Sequence, residues 1–362
     1  MTAPTTSAGA RAMAAPPLDA RSMAIAEALA PDSLSLILLP TEKCNLRCTY
    51  CYETFEIGRM SAETIQSVKN LIDQRLPKLG YLSLAWFGGE PLVAADIILD
   101  IAGYAMERCR EQGVEYYGDE ITTNAALLTR PLLDKLALVR QTKFQISLDG
   151  WREGHDRTRR NGSGGGTFDI VWNALLMLRD SPYPELDVTL RIHLTPDNLE
   201  SIRELAAEIK REFGSDGRFG IYLKVIENLG GPQSGGIVAL DRAERAPIIR
   251  EMAALLAGMR GVPDPAAPSG PPTKVCYASK PNNLIVRANG RIAKCTVAFE
   301  DPKNDIGALR TDGTLQIDNG KLAHWFRGLQ SRDPDILACP VWIRPHEAES
   351  ARRVIPIASQ PA

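Results

Sequence analysis

Three of the chain's seven cysteines crowd into one short segment, Cys44-Asn45-Leu46-Arg47-Cys48-Thr49-Tyr50-Cys51. Asn, Arg and Thr sit between them, which is not the composition of packed core. Thiolates this close serve a small set of chemistries. Zinc would want a fourth ligand, and none of the four histidines is near in sequence. A Cys-x-x-Cys redox pair would leave Cys44 without a role. Three ligands suit an iron–sulfur cube with one iron left open. An open iron makes such a site catalytic.

Four cysteines remain. Cys109 falls in a helical pattern and reads as a small packed residue. Cys276 is followed by thirteen residues, Gly290, four residues and then Cys295. That spacing wraps around Asn289-Gly290, a strong hairpin signal whose glycine supplies positive φ. The turn would bring two distant thiols together. Cys339 is the last cysteine, and Trp342 stands three residues beyond it.

The elements that must position these groups alternate in type. Strand patterns cover Leu34–Leu39, Tyr81–Phe87, Glu115–Thr123, Lys143–Leu148, Leu186–Leu194 and Phe219–Val225. Helical patterns cover Ala62–Leu76 (with Ser61 as N-cap), Ala95–Glu111 (ended by Gly113), Arg130–Leu138, Phe168–Arg179 and Leu199–Phe213. Six strands alternating with five helices predict right-handed βαβ crossovers. The fold class is α/β, a partial parallel (β/α)6 barrel over 33–229, whose active site is expected at the C-terminal strand ends. Residues 1–32 read as a mostly disordered leader with a short helix near Ala20–Ala30. Residues 230–273 read as a Pro/Gly-rich linker with one helix at Arg242–Met259, able to let the next segment close over the barrel mouth. Residues 274–345 read as a small cysteine-containing hairpin extension, Asn283–Ala288 and Arg291–Thr296, with a second strand pair around Asp312-Gly313. Residues 346–362 read as a loose tail.

Composition narrows the function classes. Forty-two Lys and Arg against 44 Asp and Glu leave −2, too balanced for nucleic-acid binding by bulk charge. No run approaches the roughly 18 apolar residues of a membrane span. The first 32 residues lack a basic start followed by an apolar stretch, so a reducing cytoplasm is expected, where cysteines are not disulfides.

The C-x3-C-x-aromatic-C spacing after a first barrel strand resembles the radical S-adenosylmethionine (radical SAM) superfamily. Further motifs follow in the order that resemblance requires. Gly88-Gly89-Glu90-Pro91 follows the second strand and is similar to the family's Gly-Gly-Glu-Pro stretch, which holds the methionine amino group. Thr122-Thr123-Asn124 ends the third strand and Ser147-Leu148-Asp149-Gly150 the fourth. His155-Asp156-Arg157-Thr158-Arg159-Arg160 is similar to the stretch that supplies an arginine near the methionine carboxylate, for which Arg159 is favoured over Arg160. The likeness spans about 33–225. It implies a [4Fe–4S] cluster on Cys44, Cys48 and Cys51, S-adenosylmethionine beside it, and reductive cleavage to a 5′-deoxyadenosyl radical fed by a flavodoxin- or ferredoxin-type donor. Cofactor-binding residues by this resemblance are Tyr50, Gly88, Gly89, Glu90, Pro91, Asn124, Ser147, Asp149 and Arg159. The Cys276–Gly290–Cys295 spacing resembles the opening of the SPASM or twitch extension. It implies one auxiliary [4Fe–4S] cluster on Cys276, Cys295 and Cys339, its fourth site open or closed by a ligand other than cysteine. The full SPASM pattern has more cysteines than remain here.

Each of these residues also has a plainer reading. Gly88-Gly89 could be a tight turn, Asn124 and Ser147 helix caps, Asp149 a turn residue, and Arg159-Arg160 a solvated charge run. The C-terminal cysteines could belong to a degenerate extension without metal. His193, mid-strand among apolar neighbours, reads as a buried, hydrogen-bonded core residue.

Gly162–Asp169 and Glu227-Asn228-Leu229-Gly230-Gly231 are similar to enzymes that modify ribosomally made peptides. The leading expectation is a peptide maturase that forms a side-chain cross-link. Only the 1–32 segment precedes the barrel, so either leader recognition falls to a separate leader-binding protein or the substrate is not a precursor peptide. The alternatives are a dehydrogenase or epimerase acting on a sugar or aminoglycoside-type molecule, and a non-catalytic iron–sulfur electron carrier. A carrier would have no use for the Gly-Gly-Glu-Pro pocket.

Overall fold

The computed structural model describes residues 19–232, 234–262 and 274–341. A short helix, α1 (Ala20–Ala28), leads into six strands. These are β1 (Ser33–Leu38), β2 (Tyr81–Trp86), β3 (Glu115–Thr123), β4 (Lys143–Leu148), β5 (Asp187–Leu194) and β6 (Phe219–Val225). They lie side by side in sequence order and all run parallel. The crossovers are α2 (Ala62–Arg75), α3 (Ala95–Gln112), α4 (Arg130–Leu138), the pair α5 (Glu153–Thr158) and α6 (Phe168–Arg179), and α7 (Leu199–Phe213). Ser61 Oγ accepts from the Thr64 amide at 3.1 Å and caps α2. Gly113 ends α3 in the left-handed region. α5, which is absent from the sequence expectation, is only six residues long, too short for periodicity to reveal.

The strands bury one face under the helices. Leu34, Leu36 and Leu38 of β1 join Val68, Leu71, Ile72 and Ile98 in one core. α7 adds Ile202, Leu205, Ala206, Ile209 and Phe213 at helical spacing. The opposite face is polar: Ser83 Oγ donates to Ser35 Oγ at 3.0 Å and Gln145 Nε2 to Thr122 Oγ1 at 3.1 Å. A polar column therefore runs up the open barrel toward the C-terminal strand ends.

The C-terminal segment is not a separate body. β7 (Asn283–Val286) pairs parallel with the free edge of β1, Ser35 opposite Asn283 and Leu38 opposite Val286. β8 (Arg291–Ala293), β9 (Gly307–Leu309) and β10 (Leu315–Ile317) then add antiparallel strands, so a single ten-stranded sheet runs from β10 to β6. The hairpin strands are shorter than expected. α8 (Arg242–Leu255) precedes this segment, and two helices, α9 (Asn319–Ser331) and α10 (Pro334–Ala338), follow it.

The expected linker is largely structured as well. α8 buries Met252, and Leu256 beyond its end is buried too. Arg203 of α7 pairs with Glu251 of α8 at 2.7 Å, and the Ile221 amide of β6 donates to Arg260 O at 2.8 Å. Residues 263–273 lie outside the described residues. The expected leader is ordered from α1 onward: Ala28 packs with Val275 and Leu337, and Asn282 Nδ2 donates to Ala30 O at 2.8 Å. Residues 1–18 and the expected tail, 346–362, lie outside the described residues. No helix among those described is long and apolar enough to cross a membrane.

Candidate active site

The loop after β1 carries Cys44, Cys48 and Cys51, and backbone hydrogen bonds fix it on two sides. The Glu90 amide donates to Lys43 O at 3.0 Å. The Arg47 amide donates to Arg160 O at 2.7 Å and the Thr49 amide to Thr158 O at 3.0 Å. The loop is thus clamped between the segments that follow β2 and β4. All three thiols line one cavity, together with Tyr50, Tyr52, Phe55, Gly88, Gly89 and Asn124. Burial pushes the Cys44 thiol up to about 12 and Cys51 up to about 11, and raises Cys48 too. A metal cluster must therefore displace protons to bind here.

The glycine pair has a steric purpose that its motif did not declare. A Cβ on Gly89 would lie 2.5 Å from Lys43 O and 2.7 Å from Glu42 O. A Cβ on Gly88, whose φ is +122°, would lie 2.3 Å from Thr41 O. Only bare backbone lets the cysteine loop settle onto the end of β2. Gly231, at φ +83°, does the same on the far side, where a Cβ would come within 2.5 Å of Tyr52 O.

Glu90 is 1% exposed and does not line the cavity, and neither does Pro91. The Glu90 carboxylate accepts from the Leu92 amide at 2.9 Å, Thr123 Oγ1 at 2.7 Å and the Asn124 amide at 2.7 Å. It braces the end of β3 and so places Asn124. The Asn124 side chain donates to Asn45 Oδ1 at 2.9 Å, inside the cysteine loop.

A second buried network stands beneath Tyr50. Its hydroxyl donates to Asp149 Oδ2 at 2.7 Å and receives Arg159 Nη1 at 2.7 Å. His193 Nδ1 lies 2.9 Å from Asp149 Oδ1, and Thr158 Oγ1 donates to Asp149 Oδ2 at 2.6 Å. Burial works against the Asp149 charge, but the His193 hydrogen bond and the Arg159 guanidinium outweigh it and hold the carboxyl below its usual range. Asp149 therefore lies behind the cavity wall and aims Tyr50, while Arg159 and Ser147 line the cavity itself. Arg160 is exposed, its Nε donating to Asp156 O at 3.1 Å. His193 is buried and hydrogen-bonded, and also lines the cavity.

Arg191, Lys224, Glu227 and Glu53 complete the cavity. Inward alternation along β5 (Thr189, Arg191, His193) and β6 (Tyr222, Lys224) was the signal for two of them. Lys224 and Arg245 both pair with Glu227, at 2.6 and 2.9 Å. Burial and the nearby Glu42 push Glu53 up to about 7.

Cys276, Cys295 and Cys339 come together from three elements. The Cys276 amide donates to Leu337 O at 2.7 Å, drawing the end of α10 onto it. Tyr277 Oη receives the Thr296 amide at 2.9 Å and ties the segment before β7 to the one after β8. Burial raises the Cys276 and Cys295 thiols, and Cys339 is near enough to add to both shifts. Beside them the buried Lys294 ammonium donates to the carbonyls of Lys280 (2.6 Å) and Asn283. Cys109 is fully buried in the core. Among the described residues no three His, Cys, Asp or Glu side chains converge as ligands of a single metal ion. The triad still fits a cluster with an open iron: three thiols on one cavity wall, with amide, hydroxyl and guanidinium donors of Asn124, Ser147 and Arg159 around the same space.

Residues 38–209 match the model of the radical SAM superfamily. The protein has a radical SAM domain. Fe-coproporphyrin III synthase of Methanosarcina barkeri is 32% identical over 163 residues, 45% of this chain and 37% of that protein. PqqA peptide cyclase of Bradyrhizobium diazoefficiens is 31% identical over 121 residues, 33% of this chain and 30% of that protein. The sequence thus spans well under half the length of these curated relatives. Among solved structures, anSMEcpe with bound AdoMet and Cp18Cys peptide has a similar fold: TM-score 0.58 at 19% identity, covering 81% of this chain and 84% of that one.

Proposed function

We propose that this protein is a radical SAM enzyme that abstracts hydrogen from a ribosomally made peptide and leaves a side-chain cross-link. The observation that carries the reading is the single cavity at the C-terminal strand ends, where Cys44, Cys48 and Cys51 face Asn124, Ser147 and Arg159. When bound on the triad, a [4Fe–4S] cluster with S-adenosylmethionine would supply reductive cleavage of the S–C5′ bond and hence a carbon-centred hydrogen abstractor.

The protein's own residues do the holding. Gly88 and Gly89 offer bare backbone to the amino group of the cofactor's methionine moiety. Arg159, fixed by Tyr50, offers a guanidinium to its carboxylate. Asn124 and Ser147 offer an amide and a hydroxyl to the ribose, and Tyr50, Tyr52 and Phe55 exclude water around the radical. Cys276, Cys295 and Cys339 would hold the auxiliary cluster, a destination for the electron a cross-linked substrate gives up. A peptide substrate is supported by the PqqA peptide cyclase likeness and by the peptide in the anSMEcpe structure.

The test is anaerobic reconstitution with iron and sulfide, then dithionite and S-adenosylmethionine, with 5′-deoxyadenosine as the readout. Short peptides encoded beside the gene, added to the same reaction, should return a product lighter by two hydrogens. No 5′-deoxyadenosine from protein loaded with about eight irons per molecule, so that both sites are filled, would overturn the reading. Its formation without any change in peptide mass would overturn the cross-linking part alone.

A further inference from the structure

Three cations line the cavity: Arg159, Arg191 and Lys224. Two have partners within the protein: Arg159 donates through Nη1 to Tyr50 with Asp149 4.0 Å away, its Nε alone being left buried without a partner, and Lys224 pairs with Glu227. The Arg191 side chain has no ion pair and no hydrogen bond among the described residues, and its Nε is buried without a partner. It sits on β5 between Ser147 of β4 and Tyr222 of β6, in register with both. The Tyr222 ring lies 5.7 Å from the guanidinium and backs it from one side. Glu120, an acid that feels its charge, forms no ion pair with it. Of the two acids on the cavity wall, Glu227 is already taken by Lys224 and Arg245, and Glu53 forms no ion pair with Arg191. A half-buried guanidinium without an ion-pair partner carries a standing desolvation cost, which an anionic ligand would relieve.

We infer that Arg191 is the anchor for a carboxylate on the substrate, set one strand layer below the Tyr50–Asp149–His193 network. This rests on the cavity being the cofactor and substrate site. A guanidinium presents a planar fork that takes a carboxylate bidentately, so the ligand class is a carboxylate-bearing peptide. An acidic side chain and a peptide's C-terminal carboxylate share that chemistry. The reacting carbon then lies a few bonds from the anchored carboxylate, between Arg191 and the cysteine triad.

The experiment is a 13C NMR titration of the reconstituted, S-adenosylmethionine-loaded protein with three small probes. N-acetyl-glutamate N-methylamide carries an internal acid, N-acetyl-glutamine N-methylamide is its neutral twin, and N-acetylglycine carries a terminal carboxylate. The wild type is expected to bind one of the acids at least roughly tenfold more tightly than the neutral twin. Preference for the glutamate probe assigns an internal acidic side chain, and preference for N-acetylglycine a peptide terminus. Arg191→Gln should bring that ratio close to one, and Arg191→Lys, which keeps the charge, should retain part of it. Equal binding of all three by the wild type would overturn the inference. So would Arg191→Gln losing S-adenosylmethionine, since Arg191 would then serve the cofactor. Wild-type protein that takes up no S-adenosylmethionine would sink the underlying reading of the cavity instead.

Discussion

Gly89 sits against Lys43 so closely that its amide neighbour, Glu90 N–H, reaches the Lys43 carbonyl at 3.0 Å, and a Cβ on Gly89 would reach the same oxygen at 2.5 Å. The hydrogen bond and the missing side chain are two halves of one contact. It joins the motif after β2 to the loop that carries the cysteines.

Replacing Gly89 with Ala should push the cysteine loop off its seat. Backbone cannot yield as a flexible side chain would, so a loss of about 1–3 kcal/mol in stability is expected. Iron uptake by the triad should fall with it. Gly217→Ala is the control, because a Cβ there meets nothing within 4 Å. Urea midpoints and iron content of the two variants check the point. Equal iron in both would show that the loop tolerates displacement.

Glu90→Gln tests the brace on β3. The carboxylate accepts three hydrogen bonds, and an amide in its place would turn an NH2 group toward one of those donors. A destabilisation on the order of 1–3 kcal/mol is expected. Asn124 should shift too, weakening S-adenosylmethionine binding by roughly tenfold. Isothermal titration against the wild type reads this, and unchanged affinity would mean that Asn124 holds its place without the brace.

The barrel was legible because its strands and helices carry local patterns: β3, β4, β6, α4, α6 and α7 begin and end where periodicity places them. The cysteine spacings were legible for the same reason. The pairing of β7 with β1 was not, since Ser35 and Asn283 are joined by nothing local. The docking of α8 was hidden by the Pro/Gly-rich flanks that suggested a linker. In the site, Glu90 was read as a ligand because its motif names it. Two of its three partners, Thr123 and Asn124, lie at and just beyond the end of β3, and only the fold brings them within 2.7 Å.

Because β7 completes the sheet beside β1, the extension should not be separable from the barrel. A truncation ending at residue 262 would expose the β1 backbone edge, together with Leu34, Leu36 and Leu38, which β7 flanks. Such an edge aggregates. Size exclusion of the truncated protein is expected to show oligomers or precipitate, and thermal unfolding of the full-length protein a single transition. A monomeric, cooperatively folding truncation would show the extension to be an independent module.

His155 should make stability pH-dependent. It is fully buried, with Nδ1 facing the Asp149 amide at 3.5 Å and Nε2 beside Thr167 Oγ1 at 3.3 Å. Burial, more than the neighbouring charges, lowers its pKa to about 4. The unfolded state therefore binds a proton that the folded state refuses between about pH 6.5 and 4. Stability should fall as pH drops through that window, by up to about 1.4 kcal/mol per pH unit from this group. Above the unfolded value it contributes no slope. Urea midpoints from pH 7 to 4 should fall less steeply in His155→Gln, and parallel curves would place the proton elsewhere.

The two cysteine sets should separate by iron count. With Cys44, Cys48 and Cys51 all changed to Ala, anaerobically reconstituted protein is expected to keep about four irons per molecule on Cys276, Cys295 and Cys339 and to cleave no S-adenosylmethionine. With the C-terminal three changed instead, about four irons should remain on the triad, with cleavage largely preserved and product lost. The barrel loop and the β7–β8 hairpin are fixed by different backbone bonds, so neither change should unfold the other site. If the first variant folds yet holds no iron, the C-terminal cysteines bind no cluster. The protein would then work with one cluster, and weight would move from oxidative cross-linking to redox-neutral chemistry such as epimerisation.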